Sequence, residues 1–288
     1  MTSSIQTSAE LRMNIRQAFD GKEVEKLQLQ GPSGQETDHY GIFMKETGEC
    51  LPRAFKSSYH PHSLQQVEDL ACEAFSAIGQ EVTLETSWNN GHVLGLRTVE
   101  KISVKNEQFS PEIKIIAKYD GTCGFKALGG MFRMICSNGL VIPVENTANM
   151  KRSERHTRSL DLNLKLIQEQ MSMLMSGYRQ QFMTIEKMMD NFNVSSERFL
   201  TKIFGERPTD AGRKQTIYDN RQESVQDIVA TELGQLGMSK PSGWVLANAI
   251  QAHYQRKQQR TKDYLVAADN ANDRKDVAAG FELALATA

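Results

Sequence analysis

Two sets of residues in this sequence have the types and spacing to do chemistry. The first is a series of cations at alternate positions. Arg97, Lys101 and Lys105 share one parity along RTVEKISVK, with Ile102 and Val104 on the other. In the next apolar stretch, EIKIIAKY, Lys114 and Lys118 alternate with Ile113, Ile115, Ala117 and Tyr119. Side chains alternate faces along a strand. If the two stretches pair antiparallel across NEQFSP with their apolar sets on one core face, then Arg97, Lys101, Lys105, Lys114 and Lys118 gather on the opposite face. Glu112 dilutes that patch. Such a face is a track for a phosphate backbone, or the solvated side of a half-buried sheet. Downstream, KRSERHTRS adds Lys151, Arg152, Arg155 and Arg158, and helical spacing would place 151, 155 and 158 on one side. Arg256, Lys257, Arg260 and Lys262 form a third cluster, which reads as exposed helix.

The second set surrounds Cys136 in FRMICSNGL. A nucleophilic cysteine needs a lowered pKa and a base, and Arg133, Arg155 and His156 are the candidates to provide them. Met134 and Ile135 on one side and Ser-Asn-Gly on the other instead suit a small buried residue that ends a strand before a sharp turn. The structural reading is preferred. For metal, His60 and His62 stand in HPH, with Cys50 and Cys72 remote; close ligand pairs such as C-x₂-C are absent, so His60 and Pro61 are read as shaping a turn before a helix. Neither GxxxxGK[ST] nor GxGxxG occurs, and neither H-E-x-x-H nor G-x-S-x-G. No catalytic residue, metal or cofactor is therefore assigned.

The totals narrow the class. The 288 residues carry 34 basic and 35 acidic side chains, so any nucleic-acid surface must come from local clustering. Four cysteines without paired spacing argue for a reducing compartment. The first residues lack the basic-then-apolar pattern of a secretory signal, and no run approaches the ~18 apolar residues of a membrane span. The expectation is a cytoplasmic protein with no membrane contact.

The elements that must position these residues follow from periodicity. Ala9–Phe19 reads as a short helix, followed by a polar linker at GPSGQETD. HYGIFMKETGECLPRAF reads as a hairpin turning at ETGE. Apolar residues at 64, 67, 70, 71, 74, 75 and 78 describe a helix starting near HPHS. VTLETSW and HVLGLRTVEKISV form a second hairpin about Asn89-Asn90-Gly91. From 157 to 192 the apolar steps of three and four describe one long amphipathic helix rich in methionine. A last helix is expected from Gly243. The fold class is α+β: an antiparallel sheet of hairpins packed on a helix and a long amphipathic helix, then a helical C-terminal region. The division is 1–38 (helix and linker), 39–195 (core) and 196–288 (helical region).

YDGTCGFKALGGMFRMICSNGL resembles the signature of an uncharacterised phage- and plasmid-related protein family. Asp120-Gly121, Arg133 and Cys136 to Gly139 carry the likeness. Arg155-His156-Thr157 and GWVLANAIQAHY (Trp244, Asn248, Ala249, Tyr254) continue it. A helix, hairpins and a long helix, in that order, are more remotely similar to single-strand annealing proteins of the eukaryotic recombination and phage Erf/Sak type. That resemblance implies an oligomeric ring holding single-stranded DNA in a basic groove.

The functional expectation is a binder of single-stranded DNA, with RNA the alternative, in a bacterial host cell. It would self-associate and promote annealing in recombination. Arg97, Lys101, Lys105, Lys114, Lys118, Arg133, Lys151, Arg152, Arg155 and Arg158 would contact the strand, with Trp88 and Phe109 as stacking candidates. The rivals are an enzyme, either a nuclease or a cysteine-dependent activity, and a host-interaction protein that binds no nucleic acid.

Overall fold

The computed structural model describes residues 4–105, 107–121, 125–133, 141–142, 152–154, 182–209, 212–259 and 275–286; at 128–129, 131–133, 141–142, 152–154 and 256–259 it describes the backbone alone. The fold is α+β, with antiparallel sheets and a helical C-terminal region. Two compact units divide it. One is built from Met1–Lys101, Ser110–Gly130 and Val144–Gly177, the other from Ile102–Phe109, Met131–Pro143 and Tyr178–Ala288.

In the first unit, two helices start on local signals. α1 (Ser8–Ala18) opens with a capping box: the Thr7 hydroxyl accepts from the Glu10 N–H, and the Glu10 carboxylate accepts from the Thr7 N–H. α2 (Leu64–Ile78) opens in the same way on Ser63 and Gln66, and ends at Gly79 in the left-handed conformation. Its bounds are those its apolar spacing predicts. Glu68 on α2 is buried and takes both guanidinium groups of α1, Arg16 at 2.8 Å and Arg12 at 3.4 Å. That pairing fixes how the two helices lie together.

Both helices cover one face of an antiparallel sheet. Its strands in this unit run β1 (Ser4–Ile5), β5 (Val82–Trp88), β6 (Gly91–Thr98), β8 (Glu107–Lys118) and β9 (Phe125–Arg133), with β11 (Arg152–Glu154) also on β9. Leu94 lies opposite Ile115 and Leu96 opposite Ile113. These four, with Ala117, pack against Leu11, Ile15 and Phe19 of α1 and Val67, Leu70, Ala71 and Ala74 of α2. The apolar parity read from the sequence is therefore the core parity.

Two sequence expectations are corrected here. Residues 97–105 are not one strand: β6 ends at Thr98, and a separate β7 (Ile102–Val104) follows. NEQFSP is not a turn either, because β8 already begins at Glu107 and the chain reverses around Lys105, which takes a φ of 53°. The polar linker is also a strand pair. β2 (Val24–Gln30) and β3 (Glu36–Met44) form a hairpin closed by the Gly31 N–H donating to the Gln35 carbonyl. With β4 (Cys50–Lys56) they make a three-stranded sheet in the order β2-β3-β4. VEKLQLQ carries too few apolar residues to reveal a strand, because only one half of its inner face meets a core.

The second unit is mainly helical. Residues 182–190 are helical (α3), and α4 (Ser196–Phe204), α5 (Arg213–Leu236), α6 (Gly243–Gln259) and α7 (Lys275–Ala286) follow. The rest of the expected long helix, 157–181, lies outside the described residues. Asn191 clasps three segments: its amide donates to the Ala284 carbonyl at 2.8 Å, and its carbonyl accepts from the Gly243 N–H at 2.8 Å. The unit also holds the pairings of β7 with the leading residues of β8 and of β10 (Val141–Ile142) with the trailing residues of β9. The indole N–H of Trp244 donates to buried Glu107 at 2.8 Å, and Phe109 is wholly buried 5.8 Å from the Trp244 ring. Phe109 is thus a core residue and not an exposed stacking surface. Among the described residues no helix is long and apolar enough to cross a membrane.

Gly91 is a tight point of the sheet. It has a φ of 154°, and a Cβ there would meet the Ala117 carbonyl oxygen at 2.2 Å. Gly91→Ala is expected to lower unfolding free energy by about 2–4 kcal/mol, read as a lower urea midpoint with unchanged slope.

Candidate functional site

The alternating cations do not share an open face. β8 is buried on both sides along Phe109–Lys118. Lys114 is 1 % exposed and Lys118 is 6 % exposed. Arg97 is mostly buried; one amino group reaches Glu85 at 3.2 Å and Glu112 at 3.3 Å, and Lys114 lies 3.7 Å from the other oxygen of Glu112. The register explains the cluster: Arg97 faces Glu112 across β6 and β8, and Glu85 and Lys114 flank Gly95. Two acids and two bases offset one another there, Glu112 and Lys114 buried and Glu85 the most exposed of the four at 27 %. Burial pushes the Glu85 carboxyl above its usual value. Lys101 is exposed. Lys105 is exposed, and it pairs with Asp190 within the second unit. The side chains of Arg133 and Arg152, and all of Lys151, Arg155, Arg158 and Cys136, lie outside the described residues.

Alternation predicts two faces but not which stays open. A half-buried edge sheet would have left these lysines in water. A strand buried on both faces does not.

The polar groups that do converge on accessible space are different ones. At the end of the helix-covered face, His62, His92 and Tyr119 meet. His62 directly precedes the N-cap of α2, His92 follows Gly91 at the start of β6, and Tyr119 lies just past the end of β8. The Tyr119 N–H donates to the Asn90 carbonyl at 2.7 Å, which holds the two strand ends together. His62 Nε2 lies 3.0 Å from His92 Nδ1, and the Tyr119 hydroxyl donates to the His62 carbonyl at 3.0 Å. The His62 and Tyr119 rings stack at 4.1 Å and 2°, while Phe19 and Trp88 each present an edge to His92. All three polar rings are buried, at 1–2 % exposure.

These rings floor a cavity of about 270 Å³ whose lining also includes Lys22, Glu23, Val24, Lys45, Ser63, Leu64 and Gln65. Burial holds the His92 imidazole down at about 4, so it is neutral at physiological pH. Burial likewise raises the Tyr119 phenol. The floor is thus a hydrogen-bonded aromatic surface in which His92 is neutral. Lys45 at the mouth pairs with Glu23 at 2.8 Å.

The three-stranded sheet adjoins this cavity through Val24 and Tyr119. Its inner face is buried at Ile42, Met44 and Leu51 and opens toward Tyr40, Arg53 and Phe55. The Lys26 ammonium stands 4.4 Å from the Tyr40 ring centre and donates to the Ser57 and Tyr59 carbonyls at 2.7 Å. Those bonds hold Tyr59 over Phe55, centroids 3.9 Å apart. Arg53 lies 6.0 Å from the Phe55 ring and donates to the Gly121 carbonyl at 2.9 Å. Gly121 has a φ of 66°, and a Cβ there would strike Arg53 at 2.8 Å. The Asp120-Gly121 pair of the signature therefore seats Arg53.

Of this site, the sequence weighs His62 only as a metal ligand, offers Trp88 for stacking, and places Tyr119 with the core parity. His92 shares the parity of Leu94 and Leu96, and that is the available signal. Tyr40, Arg53, Phe55 and Tyr59 have none beyond their hairpin. Trp88 is half-buried among His92, Tyr119 and both cores.

Two outcomes are expected. Glu112→Gln leaves two buried cations short of a carboxylate and should destabilise the fold by about 3–5 kcal/mol, whereas Lys114→Met should cost far less; chemical denaturation compares them. The second concerns His92. Its folded value of about 4 lies below the ordinary 6.5. Between those values the unfolded chain binds the extra proton, so stability falls as pH drops through that window, by up to about 3 kcal/mol. Urea midpoints at about pH 7 and about pH 4.5 should differ less in His92→Gln than in the parent chain.

A family model described as Domain of unknown function (DUF932) matches residues 56–278. No curated protein and no solved structure matches the chain. The match covers most of the sequence, and the chain belongs to this family.

Proposed function

We propose that this member of the DUF932 family binds single-stranded nucleic acid on the small sheet of its first unit. One observation carries the reading: cations are laid against aromatic rings along a single sheet face, Lys26 on Tyr40 and Arg53 on Phe55, with Tyr59 stacked on Phe55. Single strands are held by this combination, because every base offers a flat face and every linkage a negative charge. Stacking contributes about 1–3 kcal/mol per base and is tolerant of sequence. Arg53 is exposed on this face and positioned to meet phosphates.

The resemblance of the Asp120-Gly121 to Gly139 segment to a phage- and plasmid-related family supports a setting in bacteria that carry mobile elements. The order of parts, similar to that of single-strand annealing proteins, supports annealing during recombination and self-association into an oligomer or ring. That likeness is one of fold order and is a weaker warrant than the sheet face. The contact surface differs from the one that alternation suggests, since Arg97, Lys114 and Lys118 are withdrawn into the protein.

Gel retardation of a labelled single-stranded oligonucleotide across a salt series tests the proposal. The parent chain should retard the strand at low salt. Arg53→Glu should weaken binding at least tenfold, with the circular dichroism of the folded chain retained as the control for folding. It should also flatten the log–log salt dependence by about 0.7 for each phosphate that is no longer neutralised. Unaltered affinity in the Arg53→Glu variant, or no retardation by the parent chain at low salt, would remove the sheet from the reading.

A further inference from the structure

We infer that the cavity floored by His62, His92 and Tyr119 receives one nucleotide of the bound strand, its base against the floor and its phosphate at Lys22 and Lys45. The inference rests on the nucleic-acid reading of the adjoining sheet and names what the neighbouring hollow is for.

Four features converge on that ligand chemistry. The first is polarity. The buried part of the lining is aromatic, whereas the charged side chains nearer solvent are two cations to one anion, half-buried Lys22 and exposed Lys45, the latter shared with Glu23. A ligand matching this gradient has an uncharged flat end and an anionic end. The second is hydrogen-bonding character. The imidazoles bond one another and the phenol donates to the His62 carbonyl, so the floor meets a ligand mainly with flat aromatic surface, which suits the face of a base. The third is size. At about 270 Å³ the hollow is just below the usual range for small-molecule pockets, about 300–1,000 Å³, which fits one nucleotide and excludes a dinucleotide cofactor. The fourth is continuity. Tyr119 belongs both to the cavity lining and to the core under the small sheet, and Gly121, two residues on, accepts the Arg53 bond. A strand stacked along Phe55 and Tyr59 could therefore turn one base inward without leaving the protein.

The site is also pre-organised. Phe19, Trp88 and the His62 ring all close on His92, at centroid distances of 4.7, 5.2 and 5.2 Å. A floor held from several sides keeps its shape when empty, which lowers the ordering cost of binding.

Calorimetry on the full chain tests this with three probes: a deoxynucleoside monophosphate, the same nucleoside without phosphate, and inorganic phosphate. The monophosphate should bind at least tenfold more tightly than either fragment. Lys22→Ala should weaken it about tenfold, with an unchanged thermal melt as the control for folding. Leu64→Trp, which fills the cavity, should abolish uptake of the monophosphate and weaken oligonucleotide retardation only in part. No monophosphate uptake alongside normal retardation of the oligonucleotide would overturn the cavity inference and leave the sheet reading standing. Neither ligand binding would overturn both. Inorganic phosphate binding as tightly as the monophosphate would reduce the cavity to a simple anion site and overturn the inference. Uptake of the monophosphate by a chain that retards no oligonucleotide would overturn the strand reading and with it the assignment to a strand nucleotide.

Discussion

β8 is buried on both faces, and much of the first unit answers to that constraint. A strand in contact with water can carry charges on one side at little cost. One without such contact must satisfy each charge from its neighbours. On the helix-covered side Ile113, Ile115 and Ala117 meet the apolar residues of β6, α1 and α2. On the other side Glu112 and Lys114 must be compensated, and Arg97 and Glu85 on the two adjoining strands do so. The register that seals the apolar face is the same register that assembles this charge network. Slipping it by one residue would break both at once.

This constraint also explains what could and could not be read from the sequence. α2 is legible to its end residues, because its apolar spacing, its Ser63–Gln66 capping box and the Gly79 stop are all local. The hairpin about Asn89 and Asn90 is legible for the same reason. The side of β8 that holds Lys114 and Lys118 is not. Alternation assigns residues to faces, but whether a face meets water depends on what packs there, and that is set by residues far away in sequence. The β2–β3 hairpin escapes a sequence reading for a related reason: its core packing is confined to Val24, Ile42 and Met44, too little for a strand pattern to stand out.

The site shows the same division. His92 and Tyr119 carry the parity of core residues, so alternation places them on the same face as Leu94 and Ile115. Their meeting with His62 does not follow from alternation. It requires the strand ends to be joined at Asn90 and the entry to α2 to lie over them. The small sheet then adjoins the hollow because Tyr119 serves both cores, and the Arg53–Gly121 bond pins one to the other. Three short sequence features, HPH, NNGH and YDG, become a single place only through the sheet that brings their ends together.

The tryptophans are partitioned usefully. The chain has two, Trp88 in the first unit and Trp244 in the second. Trp244 is almost wholly buried with its indole N–H on a carboxylate, while Trp88 is half-buried edge-on to an imidazole. Their emission therefore originates in unlike surroundings. With one indole replaced by phenylalanine at a time, intrinsic fluorescence becomes a label-free reporter of each unit separately, able to tell whether the two halves melt together or in turn.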